Sequence, residues 1–204
     1  MNNEMFSQFK WLNEGKHTFT DDKMIIIAPP KSDFAYDNEM TSESGELPQS
    51  LNNAPYFYTE VEGDFVMSAK VSLTFKDTYD ASALMVHQNE ECWAKACFEK
   101  TDFNKHAVVS VVRNKMTDDA NDNNIDKDTV WLQVVRVGQS FSFHYSLDGE
   151  IYEMMRVFNL PVTETIKVGL VAQAPTGNGG ERYFSDFKLE KKTVKNIRIG
   201  NEVL

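Results

Sequence analysis

The chain has little with which to staple itself: only two cysteines, Cys92 and Cys97, and six prolines occur in 204 residues. On one strand the odd spacing of the two thiols puts them on opposite faces, so they cannot bridge each other. Two unpaired thiols exclude a disulfide framework and fit a reducing, cytoplasmic setting. Long apolar runs are missing too. No stretch approaches the ~18 apolar residues of a spanning helix, and the start, MNNEMFSQFKWLNEGKHTF, shows no basic segment leading into an apolar run. Neither a membrane partner nor a secretory signal is expected. Basic residues are scarce, 21 Lys and Arg against 31 Asp and Glu, for a net charge of −10. Such a chain is repelled by phosphate backbones, which argues against nucleic acid as a partner. The single basic cluster, KLEKKTVKNIR (Lys188 to Arg198), follows an apparent last strand and reads as a solvated edge.

Helical periodicity is equally rare. What recurs are short runs of β-branched and aromatic residues alternating with polar ones, between turn signals. Strands are expected near Lys16–Thr20, Met24–Ala28, Tyr56–Val61, Phe65–Phe75, Ala81–Gln88, Trp93–Lys100, Ala107–Arg113, Val130–Val137, Ser140–Ser146, Met154–Phe158, Lys167–Gln173 and Tyr183–Glu190. RVGQS places Gly138 in a turn, and SLDGE offers Asp148-Gly149, the pair suited to a two-residue hairpin. A dozen strands without a long helix cannot close as one flat sheet and are expected to stack as an all-β sandwich. Pro29 to Pro55, Asn114 to Thr129 and Ala174 to Arg182 read as connections without strands. No repeat or linker divides the chain, so residues 1–204 are expected to form one domain.

YDASALMVHQNEECWAKACFEK, VVSVVRN, VWLQVVRVGQSFSFHYSLDG, IKVGLVAQAP and YFSDFKLE, with FKWLNEG and KSDFAYD before them, come in an order and spacing that resemble a known family. It is an uncharacterised family of concanavalin-A-like jelly rolls, some of whose members carry the label "regulation of enolase". The resemblance runs through Glu190. It implies two curved antiparallel sheets, and a concave sheet that holds the sugar in carbohydrate-binding or carbohydrate-cleaving relatives. The label implies, as a second possibility, a regulatory partner of a metabolic enzyme.

The candidate site is CWAKACFEK. Strand alternation gives Ala94, Ala96 and Phe98 to the core and Trp93, Lys95, Cys97 and Glu99 to the opposite face. Lys95 and Glu99 lie roughly 13 Å apart along a strand, so each needs a cross-strand partner. Arg113, Gln133, His87 and His144 are the residues expected to supply one. Trp93, Lys95 and Glu99, with Gln133, Arg113 and His87, would then line a site for a carbohydrate or small polar ligand. The plainer alternative is a solvated face whose charges fix register.

Catalysis is not expected. Glycoside hydrolysis needs two carboxyl groups ~5–9 Å apart, and the alternating acids Glu60, Glu62 and Asp64 of TEVEGDF lack a completing glutamate. Hydrolase activity is therefore the weaker alternative. In DDANDNNIDKD, Lys127 stands where a calcium loop wants glycine and Gln133 where it wants glutamate. Residues 118–128 read as a solvated acidic loop, and no metal or cofactor is expected. His17, His87, His106 and His144 have no zinc spacing. Trp11, Phe34, Tyr36, Tyr56 and Phe57 are expected to pin the long N-terminal connection onto the sandwich rim rather than stack on sugar.

Overall fold

A computed structural model describes residues 6–36 and 51–200. Its strands are β1 (Lys10–Leu12), β2 (His17–Phe19), β3 (Lys23–Ala28), β4 (Phe34–Ala35), β5 (Leu51–Asn52), β6 (Tyr56–Glu62), β7 (Phe65–Leu73), β8 (Ala81–Asn89), β9 (Cys92–Lys100), β10 (His106–Asn114), β11 (Met116–Asn124), β12 (Thr129–Val137), β13 (Ser140–Ser146), β14 (Glu153–Asn159), β15 (Thr165–Gln173) and β16 (Gly180–Glu190). They form a seven-stranded sheet β1-β6-β15-β8-β9-β10-β11, a second of order β14-β13-β12-β7-β16-β3-β2, and the small pair β4-β5. Neighbours in both large sheets run antiparallel. The fold is an all-β, concanavalin-A-like sandwich. No helix among the described residues is long and apolar enough to cross a membrane.

The two sheets close on one apolar layer, to which alternate residues contribute: Ala94, Ala96 and Phe98 from β9, Met67, Ala69 and Val71 from β7, Leu132 and Val134 from β12. Phe98 is fully buried and meets Phe75 edge-on at 4.9 Å. Burial of each such side chain contributes roughly 1.5–3 kcal/mol. Cys92 joins this layer and Cys97 the opposite face, and both thiols are free.

All twelve expected strands are present, with ends shifted by at most three residues; the largest shift is in β16, which starts at Gly180, inside the Ala174 to Arg182 segment expected to hold no strand. Other expectations fail as well. Asn114 to Thr129 is not a loop throughout, because Met116–Asn124 pairs with β10 as an edge strand. Its Asp and Asn residues disfavour strands intrinsically, but Lys115, at φ 67, turns the chain tightly enough to set the two strands in register. Pro29 to Pro55 likewise holds the short pair β4-β5. Asp148-Gly149 does not form a two-residue hairpin; residues 147–152 separate β13 from β14. Asp148 Oδ1 accepts from the Glu150 and Ile151 amides, and Gly149 lies so close to Trp131 that an added Cβ would sit 2.9 Å from the indole. Gly138 does adopt positive φ between β12 and β13.

The basic Lys188 to Arg198 cluster is more than a solvated edge. Beyond β16 the chain folds back over the outer face of the second sheet, where Val194 is buried and Ser142 Oγ donates to the Ile197 carbonyl at 2.7 Å.

Candidate ligand-binding site

The first sheet is covered on both sides, which its sequence does not announce. Strands β8, β9 and β10 are buried along almost their whole length. Their outer face carries Ala83, Met85, Trp93, Cys97, Ala107, Val109 and Val111, and over it lie Phe34 and Ala54 from the β4-β5 pair. That pair is tied down by polar bonds. Asn13 Nδ2 donates to the Asn52 and Ala54 carbonyls, the Asp33 amide donates to Asn53 Oδ1, and Ser32 bridges to Ala174. The pinning role expected of Phe34 and Tyr56 is thus what the geometry gives. Phe34 packs edge-on against Tyr56 and Trp93, with centroids 6.2 Å apart in each case. Phe57 points instead into the main core, against Trp11 at 4.7 Å.

Lys95 does not find the partners expected from sequence. Its Nζ donates to Asp33 Oδ1 at 2.7 Å and to Gln173 Oε1 at 2.8 Å. Glu99 lies against Gln173, whose Nε2 reaches its Oε2 at a long 3.4 Å. Arg113, Gln133, His87 and His144 make neither contact. Gln133 is on the second sheet, beside His144 and the Gly200 carbonyl, which accepts from its Nε2 at 3.2 Å. It faces away from Trp93 and does not belong to the cluster. His144 is a hydrogen-bonded sheet histidine, its Nε2 3.1 Å from the Arg198 carbonyl oxygen.

Burial governs the electrostatics here. It opposes charge on Lys95, but the Asp33 carboxylate 2.7 Å away overrides it and holds the ammonium above the ordinary lysine range. Glu99 goes the other way: burial raises its carboxyl to about 8 against the pull of Lys95, so at neutral pH it is mostly protonated. Burial also pushes the Cys97 thiol well up, which leaves it a small hydrophobe rather than a nucleophile.

The other three expected residues come together in one row. His87 on β8 stands opposite Trp93 on β9, and Trp93 opposite Arg113 on β10. Lys167 on β15 extends the row beyond His87. His87, Trp93 and Arg113 are 4%, 0% and 7% exposed. Among the described residues, His87 Nδ1, Trp93 Nε1 and Arg113 Nη1 are all buried without a hydrogen-bond partner. Buried polar atoms are paired in the great majority of cases, and here three unpaired ones belong to residues in adjacent positions. Phe34 sits over the His87 end, with centroids 6.1 Å apart, and the Tyr36 ring lies 4.3 Å from the Arg113 guanidinium carbon. Burial, then the charge of Lys167, lowers the His87 imidazole to about 4, so it is neutral at physiological pH.

Sequence reasoning missed Asp33, Gln173 and Lys167. Asp33 lies in the KSDFAYD segment, far from β9 in the chain, and only the return of β4 over the sheet brings it to Lys95. Among the described residues no group of three or more His, Cys, Asp or Glu could hold a metal ion.

A family model described as "Protein of unknown function (DUF1349)" matches residues 11–192. "Regulation of enolase protein 1" of Saccharomyces cerevisiae is 25% identical over 199 residues, covering 92% of this chain and 91% of that protein. A solved structure of a protein from Saccharomyces cerevisiae, described as functionally unknown, is similar with a TM-score of 0.79 at 22% identity, over 91% of this chain and 97% of that one. The carbohydrate-binding module CBM66 from Bacillus subtilis gives a TM-score of 0.56 at 10% identity, over 90% of this chain and 96% of the module.

Proposed function

The chain belongs to the DUF1349 family, and from that premise we propose that it is a non-catalytic binding protein for a carbohydrate or small polar metabolite. The ligand is held on the outer face of the first sheet by Trp93, His87 and Arg113, with Lys95 and Glu99 shaping the wall beside them. The observation that carries this reading is the row of buried polar atoms at His87, Trp93 and Arg113 that find no partner among the described residues. Leaving such atoms unpaired costs ~1–3 kcal/mol each, and a ligand that supplies their partners recovers that cost. The likeness to a carbohydrate-binding module supports the reading at the level of fold alone.

Hydrolysis has less support. A second carboxyl, Asp33, shares Lys95 with the site, but its Oδ1 is already held by Lys95 and by the Phe34 amide. Glu99 is mostly protonated at neutral pH, so the pair offers no free carboxylate to act as base or nucleophile.

The test is a thermal-shift and calorimetric panel of mono- and oligosaccharides and polar metabolites on the wild type and on Trp93→Phe, which keeps an aromatic ring but loses the N–H. The expected result is a compound that raises the melting temperature of the wild type and loses its effect in the variant. A panel without effect, or equal effects in both proteins, refutes the assignment. A second reading, docking on a metabolic enzyme, is favoured by the name of the yeast relative. Retention of enolase on the immobilised chain, alongside a silent panel, would decide for it.

A further inference from the structure

Resting on that binding site, we propose that its ligand is a small organic anion whose carboxylate or phosphate is received by Arg113, Trp93 and His87. The orphaned atoms set the polarity. An indole N–H and a guanidinium N–H can only donate, and a neutral imidazole can donate from Nδ1 as one of its two tautomers. A ligand that satisfies all three together presents acceptors, and an oxyanion presents the most acceptors in the least space.

Charge gives the same answer. Lys95 is neutralised by Asp33 at 2.7 Å. Glu99 adds little negative charge at neutral pH, because burial keeps it protonated. Arg113 has no such compensation: its Nε reaches only the Lys115 carbonyl, at 3.4 Å, its Nη1 has no partner, and no carboxylate ion-pairs with it among the described residues. A second cation, Lys167, stands beyond His87, its Nζ 5.8 Å from the Tyr58 ring, and the exposed Glu60 of β6 lies opposite it on the outer side. From Lys167 to Arg113 the row therefore carries two cations with donors between them, and its one carboxylate, Glu60, lies outside that stretch, on a chain whose overall charge is −10.

Tyr36 now occupies the place above the guanidinium, in the kind of cation–aromatic contact that is worth about 0.5–2 kcal/mol. A charge-assisted, bidentate bond to an oxyanion outweighs that contact, so the anion displaces Tyr36 and takes its place.

The experiment uses the full chain at fixed ionic strength, with glucuronate, glucose 6-phosphate, citrate and inorganic phosphate as probes, glucose and maltose as neutral counterparts, and chloride as the control. At least one acid is expected to give a calorimetric isotherm with the wild type. Arg113→Gln should weaken it roughly tenfold to a hundredfold, the span of one hydrogen bond to a charged group. Arg113→Lys should lie between the two, and it serves as the second variant if Arg113→Gln fails to fold. Acids that bind equally to wild type and both variants overturn the assignment to Arg113. Neutral sugars that bind while the acids do not overturn the anion but leave the binding site standing. Silence from every probe removes both.

Discussion

Replacing Glu99 with glutamine removes one proton-binding group and nearly nothing of the shape, so it isolates the cost of keeping an acid under the β4-β5 pair. The carboxyl titrates at 4.5 in an ordinary setting and at about 8 when buried in this one. Below pH 4.5 both folded and unfolded chains carry it neutral, and it has no effect on stability. Between 4.5 and 8 the unfolded chain has released the proton while the folded chain retains it, so stability falls as pH rises. Above about 8 the loss is complete. At ~1.4 kcal/mol per pH unit, the gap is worth roughly 5 kcal/mol, or roughly 10–20 °C in melting temperature for a chain of this size. His87, lowered to about 4, shifts stability in the opposite sense between about 4 and 6.5, but it does so equally in both proteins and cancels in the difference. Differential scanning calorimetry of wild type and Glu99→Gln from pH 5 to 9 should show the variant gaining steadily on the wild type up to pH 8, then holding a constant lead. Parallel curves would mean that Glu99 is ionised in the folded chain, and the account of the cluster would be wrong.

Two further substitutions test its surroundings. Lys95→Met leaves the buried Asp33 carboxylate without its ammonium and should cost ~3–5 kcal/mol, measured by urea unfolding; adding Asp33→Asn should recover a large part of that, and strict additivity of the two would deny the pairing. Phe98→Ala opens a cavity between the sheets and should cost ~3–5 kcal/mol by the same measurement, whereas a loss below 1 kcal/mol would place Phe98 outside the packed layer.

The strands were legible because alternation in segments such as SFSFHYS and CWAKACFEK depends on local periodicity alone. It assigned Phe98 to the interior correctly, and it put Trp93, Lys95 and Glu99 together on the other face. It could not say what covers that face. Cover comes from residues 33–36, some sixty positions earlier, and their arrival turns a face read as wet into a dry one. Gln133 shows a related limit. Its alternation is as regular as that of Arg113, but which sheet a strand joins depends on the order of crossovers, so the two ended on different layers. MTDDANDNN escaped notice for the opposite reason, since its composition speaks against a strand that a tight turn and a ready neighbour nonetheless impose.

That same strand has a consequence for how copies of the protein meet. Among the described residues β11 pairs with a strand on one side only, so its other edge offers a template for another chain to add to the sheet. A second copy arriving there would bring Asp118, Asp119 and Asp122 against their own counterparts, and mutual repulsion turns it away. The residues that make this segment a poor strand by composition are those that keep the sheet from growing into a fibre.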